Sequence, residues 1–176
     1  MKQPRNSRVL RKQAQSLLED HGVEKPPIPV DNIAQSLGAR LSYSPFDGDL
    51  AGMLIREGDD TVIGVNSLHH INRQRFTIAH ECGHLVLHKG KDVYIDRSFR
   101  VNWRDQVSAQ ATDPEEIEAN RFAAELLMPY QMLLDDLVEY DIDIEDERDL
   151  KELAQKYQVS VQALTHRISN LLKDIL

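Results

Sequence analysis

Apolar residues recur along the chain with two periods, and the switch between them marks out the elements. Val9, Leu10, Ala14, Leu17, Leu18 and His21 keep helical spacing, and Gly22 ends that segment. Lys25-Pro26-Pro27-Ile28-Pro29 cannot be helical and predicts an extended link. A short helix follows, capped by Asp31, carrying Ile33, Ala34 and Leu37, and closed by Gly38. The period then drops to two. Strands are predicted over Ala39–Ser44, Leu50–Arg56 and Thr61–Asn66, the last two joined by the hairpin loop Glu57-Gly58-Asp59-Asp60. Gly52 and Gly64 interrupt these runs, as glycines do at bulges and close backbone approaches. The helical period returns over roughly Ile71–His88.

The second half is helical except between 91 and 112, where Val93-Tyr94-Ile95 suits a short strand and the rest reads as a loop around Trp103. Thr112-Asp113-Pro114 opens a helix that runs to Met128, and Pro129 breaks it or starts the next. Tyr130, Leu133, Leu134, Leu137 and Val138 extend the pattern. Leu150, Leu153, Ala154 and Tyr157 then form one helix, and Ser160 caps another bearing Leu164, Ile168, Leu171, Leu172 and Ile175 on one face. The pattern predicts an α+β fold, rich in helix, with a small antiparallel or mixed sheet of about three strands and a C-terminal helical tail.

Composition narrows the class. The 176 residues suffice for one domain with a core, and 41% hydrophobic content indicates a folded chain. No apolar run reaches the length of a membrane span, and the basic start lacks the apolar stretch of a signal peptide. With a single cysteine, Cys82, these features predict a cytoplasmic protein with no membrane partner. The net charge of −8 argues against a dedicated nucleic-acid binder. The charge is segregated. Lys2, Arg5, Arg8, Arg11 and Lys12 occupy an acid-free start, whereas residues 135–149 hold nine acids against Arg148. Both read as solvated surfaces, and the acidic one could also attract a basic partner. Leu150–Leu164 has the outline of a helix-turn-helix, but the second helix offers only His166, Arg167 and Lys173 as basic groups, so packing on the rest of the fold is the expected role and DNA binding is not.

The chemistry concentrates in Phe76–His88. His80-Glu81-Cys82-Gly83-His84 places two imidazoles four residues apart, on one face of a helix, where both can reach a single metal ion. Glu81, one step from His80, can lie beside the ion's open position without ligating it, as a base for water. Gly83 costs about 1 kcal/mol relative to alanine inside a helix, which a close approach by another element would explain. Cys82 lies about 200° around the helix from His80 and is expected in the core.

A third ligand is needed. His88 lies one turn beyond His84, and three ligands on one straight helix make a poor tetrahedron. The helix after Pro114 offers Glu115, Glu116 and Glu118. Steps of three and four from Glu116 give Ala119, Asn120, Ala123 and Leu127, a small-residue face able to pack at Gly83. From Glu118 they give Arg121, Phe122 and Glu125, a mixed and half-exposed face. Glu116 is therefore the chosen third ligand, although Asp113-Pro114-Glu115-Glu116 also fits a capping box. Asn120 either orients a ligand or serves helix packing. Tyr94, Tyr130, His69, His70 and His88 are candidate donors to an oxyanion. The strand Val62–Asn66, if it is a sheet edge, could pair with a substrate peptide.

His80-Glu81-x-x-His84, followed by Glu116-x-x-x-Asn120-x-x-Ala123-Ala124-x-Leu126-Leu127-Met128-Pro129, resembles the ImmA/IrrE family of zinc metallopeptidases. Pro29-Val30-Asp31-x-Ile33-Ala34, the glycine-interrupted hairpin and Arg75-Phe76-Thr77-Ile78-Ala79 resemble it too, so the likeness covers about residues 8–135. It implies a zincin-like metallopeptidase core over 1–135, with 136–176 as an acidic connector and a helical pair packed on that core. It also implies Zn2+ held by His80, His84 and Glu116, Glu81 as the catalytic residue, and a regulatory protein substrate such as a helix-turn-helix transcriptional repressor. The alternative is a non-catalytic protein that uses the same fold to sequester a transcription factor or another partner.

Overall fold

The structure, a computed structural model, describes residues 3–48, 50–88, 93–97 and 113–175. Helix α1 (Ser7–Asp20) starts at Asn6, whose side chain accepts from the Arg8 N–H, and turns Leu10, Ala14 and Leu18 inward at intervals of four. Helix α2 spans Val30–Ser36. Asp31 does not cap it as expected: the N-cap is Pro29, and the Asp31 carboxylate accepts from the Tyr43 hydroxyl at 2.9 Å. Burial and that carboxylate push the Tyr43 hydroxyl pKa up to about 12.

Strands β1 (Ala39–Ser44), β2 (Leu50–Glu57), β3 (Asp60–Asn66) and β4 (Val93–Arg97) form one mixed sheet in the order β1-β3-β2-β4. The hairpin β2–β3 is antiparallel, with Leu54 opposite Ile63, and β4 pairs antiparallel with the other side of β2. β1 lies parallel to β3, with Ala39 opposite Thr61. The sheet has four strands where about three were expected, the fourth being the short run at Val93-Tyr94-Ile95 extended to Arg97. One expectation changes. Val62–Asn66 is not an edge, because β1 covers its far side, so an added peptide strand cannot pair there. The expected loop around Trp103 lies outside the described residues.

Helix α3 (Ile71–Leu87) lies between this sheet and helix α4 (Pro114–Leu127). Two glycines make that position possible. A side-chain carbon on Gly52 of β2 would collide with Thr77 of α3 and come within 2.9 Å of the Gly64 carbonyl oxygen. On the opposite side, a carbon on Gly83 would sit 3.0 Å from the Ala119 Cα. Squeezed from both sides, every residue of α3 from Arg75 to His84 is buried, which is why its apolar periodicity is weak.

Asp113 caps α4 through the Glu115 N–H, with Pro114 in the first turn. Helices α5 (Tyr130–Glu139), α6 (Glu147–Tyr157) and α7 (Val161–Ile175) follow. Asp136 of α5 is buried and accepts from the Lys156 ammonium and the Tyr157 hydroxyl of α6, at 2.7 and 2.8 Å. Arg167 of α7 turns inward. It donates to both oxygens of Glu125 at 2.9 and 2.5 Å and to the Met128 carbonyl at 3.1 Å. One of the three basic groups that a DNA-reading helix would need is thus spent inside the fold.

Candidate metal centre

His80 and His84 project from one face of α3 toward the first turn of α4. There they meet Glu116. The Nε2 atoms of the two imidazoles are 3.0 Å apart. Glu116 places Oε2 at 3.2 Å from His80 Nε2 and Oε1 at 3.4 Å from His84 Nε2. Among the described residues these three form the one cluster of potential ligands. Glu116 occupies the third position of α4, yet its carboxylate faces the imidazoles.

The spacing fits a tetrahedral ion. Bonds of about 2.0–2.1 Å at tetrahedral angles separate neighbouring ligand atoms by about 3.3 Å. Hydrogen bonding strengthens the fit. His80 Nδ1 lies 2.8 Å from Asn120 Oδ1, which can only accept, so the ring proton sits on Nδ1 and Nε2 keeps its lone pair. Asn120 thus orients His80, one of the two roles its position suggested. Electron-rich atoms of three side chains therefore face one another, an arrangement that a cation reconciles. Protonation agrees. Burial holds the His84 pKa down at about 4, against the opposing pull of Glu116. Burial works to raise the Glu116 pKa, but its surroundings beside His80 and His84 outweigh that and hold the carboxyl well below the usual range. Neutral imidazole and ionised carboxylate are the forms that bind metal.

Glu81 is fully buried, on the side of α3 that meets the sheet: a carbon on Gly52 would stand 3.7 Å from its Oε1. The Tyr94 ring of β4 stacks on His84, with centroids 4.1 Å apart and planes inclined by 28°. Of the five proposed oxyanion donors, Tyr94 thus lies against the cluster. His70 caps α3 through the Asn72 N–H, and Tyr130 lies beneath the Arg11 guanidinium at 3.8 Å. Cys82 is in the core as expected, and burial raises its thiol pKa, which removes the thiolate that redox chemistry needs.

The sequence reading missed two things. His88 is a buried neighbour of His84, with Nδ1 atoms 3.0 Å apart. Glu118 and Glu125, expected on a half-exposed face, are 3% and 4% exposed. Each is buried because a distant cation reaches it: Arg5 bonds Glu118, and Arg167 bonds Glu125.

Two imidazoles and a carboxylate on two packed helices, beside a small mixed sheet, define an α+β protein with a candidate metal site. The family model described as the IrrE N-terminal-like domain, Peptidase_M78, matches residues 34–169, and the chain belongs to that family. Among solved structures, a Mycobacterium tuberculosis transcriptional regulator is 18% identical with a TM-score of 0.56 over 92% of this chain and 46% of that one. The likeness is one of fold, and the chain spans about half the length of that relative. No curated protein matches. No helix among the described residues is long and apolar enough to cross a membrane.

Proposed function

We propose that the chain is a zinc-dependent endopeptidase acting on a regulatory protein, with a helix-turn-helix repressor as the substrate class. The observation that carries this reading is the meeting of two helices: His80 and His84 of α3, the helix that also holds Glu81, have Nε2 atoms 3.0 Å apart, and Glu116 of α4 sets one carboxylate oxygen 3.2 Å from His80 Nε2 and the other 3.4 Å from His84 Nε2. Family membership supports it. Two imidazole nitrogens and one carboxylate oxygen are a donor set suited to Zn2+, with a fourth position left for reactants.

Zinc held there supplies a Lewis acid that acidifies water and polarises a peptide carbonyl. Glu81 takes the proton as water attacks that carbonyl, and returns it to the departing amine nitrogen. Asn120 holds the His80 ring in the tautomer and orientation that binding requires. Glu116 and the His84 imidazole need no deprotonation at neutral pH.

The test is cleavage of a helix-turn-helix regulator, encoded beside this gene, by the zinc-loaded protein and by Glu81→Gln. The variant should keep zinc and lose about 10²–10⁴-fold in cleavage rate, the usual worth of a general base. Equal cleavage by the variant overturns the role of Glu81. Stable binding of the regulator with no cleavage by either form overturns the enzymatic reading in favour of sequestration.

A further inference from the structure

We infer that His88, Glu118 and Arg5 form a positioning relay for His84, tying the start of the chain to the metal centre. The inference rests on the metal-centre reading above and adds residues to it that do not touch the ion.

The relay follows from tautomers. If His84 Nε2 is a ligand, its ring proton must sit on Nδ1. The atom facing that proton, at 3.0 Å, is His88 Nδ1, which must accept. The His88 proton is then forced onto Nε2. That nitrogen faces Glu118 Oε2 at 3.0 Å, an acceptor. Each link has one donor and one acceptor, and the direction runs away from the ligand. Glu118 is anchored in turn. Its Oε1 accepts from the Arg5 backbone N–H at 2.6 Å, its Oε2 pairs with the Arg5 guanidinium, and that guanidinium also donates to the Leu87 carbonyl at 2.9 Å. His88 and Glu118 are 5% and 3% exposed, so water does not substitute readily for either partner.

The end of α3 is held from the sheet side as well. Arg56 of β2 donates to the carbonyls of His84 and His88, both at 3.1 Å. His88 is the C-cap of α3 and has left the helix with φ −122° and ψ 110°. That departure from helical geometry lets its ring lie beside His84 while Nε2 turns to α4. The same residue makes a poor third ligand because both ring nitrogens are engaged here. His80 has a neutral orienting partner, Asn120, whereas His84 has a chain ending on a carboxylate. A carboxylate at the far end of such a chain raises ligand basicity and fixes ring orientation.

The experiment pairs nitrogen-15 NMR of the imidazoles in metal-free protein with zinc-affinity titrations against a competing chelator. NMR should show His84 protonated at Nδ1 and His88 at Nε2, and the reverse tautomers overturn the relay whether or not zinc binds. In the titrations His88→Phe should weaken zinc binding about 10–100-fold, and Glu118→Gln, nearly isosteric, about tenfold. His88→Asn, which keeps an acceptor where Nδ1 stood, should recover most of the loss. Thermal melts of the metal-free variants separate lost packing from lost positioning, because packing alone predicts no rescue by asparagine. Tight zinc binding by wild type that is unchanged in His88→Phe overturns the inference. Wild type that binds no zinc overturns the metal-centre reading instead.

Discussion

Replacing Gly83 by alanine sets two well-defined effects against each other. Alanine in a helix interior is favoured over glycine by about 1 kcal/mol, so on local grounds the variant gains stability. The new methyl carbon, however, would lie 3.0 Å from the Ala119 Cα, 3.2 Å from the Ala119 carbonyl oxygen and 3.3 Å from Phe122 Cδ1. Two of these neighbours are backbone atoms, which do not swing aside. The helices must part by a few tenths of an ångström, and overpacking of this kind costs about 1–3 kcal/mol. The net expectation is a loss of between about zero and 2 kcal/mol, or a fall of up to about 8 °C in Tm for a chain of this size. The larger effect should fall on the site. Helix α4 carries both Glu116 and Asn120, so its retreat lengthens the 3.2 and 3.4 Å contacts of the Glu116 oxygens with the two imidazoles, which stand near the roughly 3.3 Å that a tetrahedral ion spans. Zinc affinity should drop about tenfold or more. A chelator-competition titration and a thermal melt, run together, read both quantities. A Tm that rises by about 2–4 °C, with zinc affinity unchanged, would show that helix propensity wins and that Gly83 is not a packing notch.

Two further outcomes follow from the same structure. The buried His84 pKa of about 4 lies below its ordinary 6.5, so the unfolded chain binds the extra proton first. The depressed Glu116 pKa acts in the same direction below the usual carboxylate range. Chemical denaturation of the metal-free protein should therefore show stability falling as pH is lowered from 6.5 toward 4, and a flat profile over that window would contradict the burial argument. Arg167→Ala leaves Glu125, 4% exposed, with the more distant Arg11 guanidinium at 3.3 Å. It should cost about 3–5 kcal/mol, read by urea unfolding, and a loss below about 1 kcal/mol would mean that Arg11 or water replaces the lost partner.

The features legible in the sequence are those written in local spacing. The four-residue step from His80 to His84 and the small face Glu116-Ala119-Asn120-Ala123 each lie within one helix. Gly83 signalled that the two helices touch, as its approach to Ala119 shows. What could not be read depends on partners far along the chain. Glu118 looked half-exposed because nothing near it covers a carboxylate, and its cover is Arg5, 113 residues away. Glu125 looked the same, and its partner Arg167 lies 42 residues on. The hairpin β2–β3 follows from adjacency, but the parallel pairing of β1 with β3 does not, so spacing alone leaves open whether β3 is an edge. The place of His88 behind His84 is not legible either, since sequence spacing carries no record of ring tautomers.

The central claim is that His80, His84 and Glu116 hold one ion. Zinc content and affinity of the wild type beside Glu116→Gln test it most directly, because glutamine keeps the shape of the side chain and removes the charge. One tightly bound zinc per wild-type chain is expected, with a variant that remains folded while losing affinity by at least about tenfold. A wild type that holds no zinc, or a variant that holds it equally well, contradicts it.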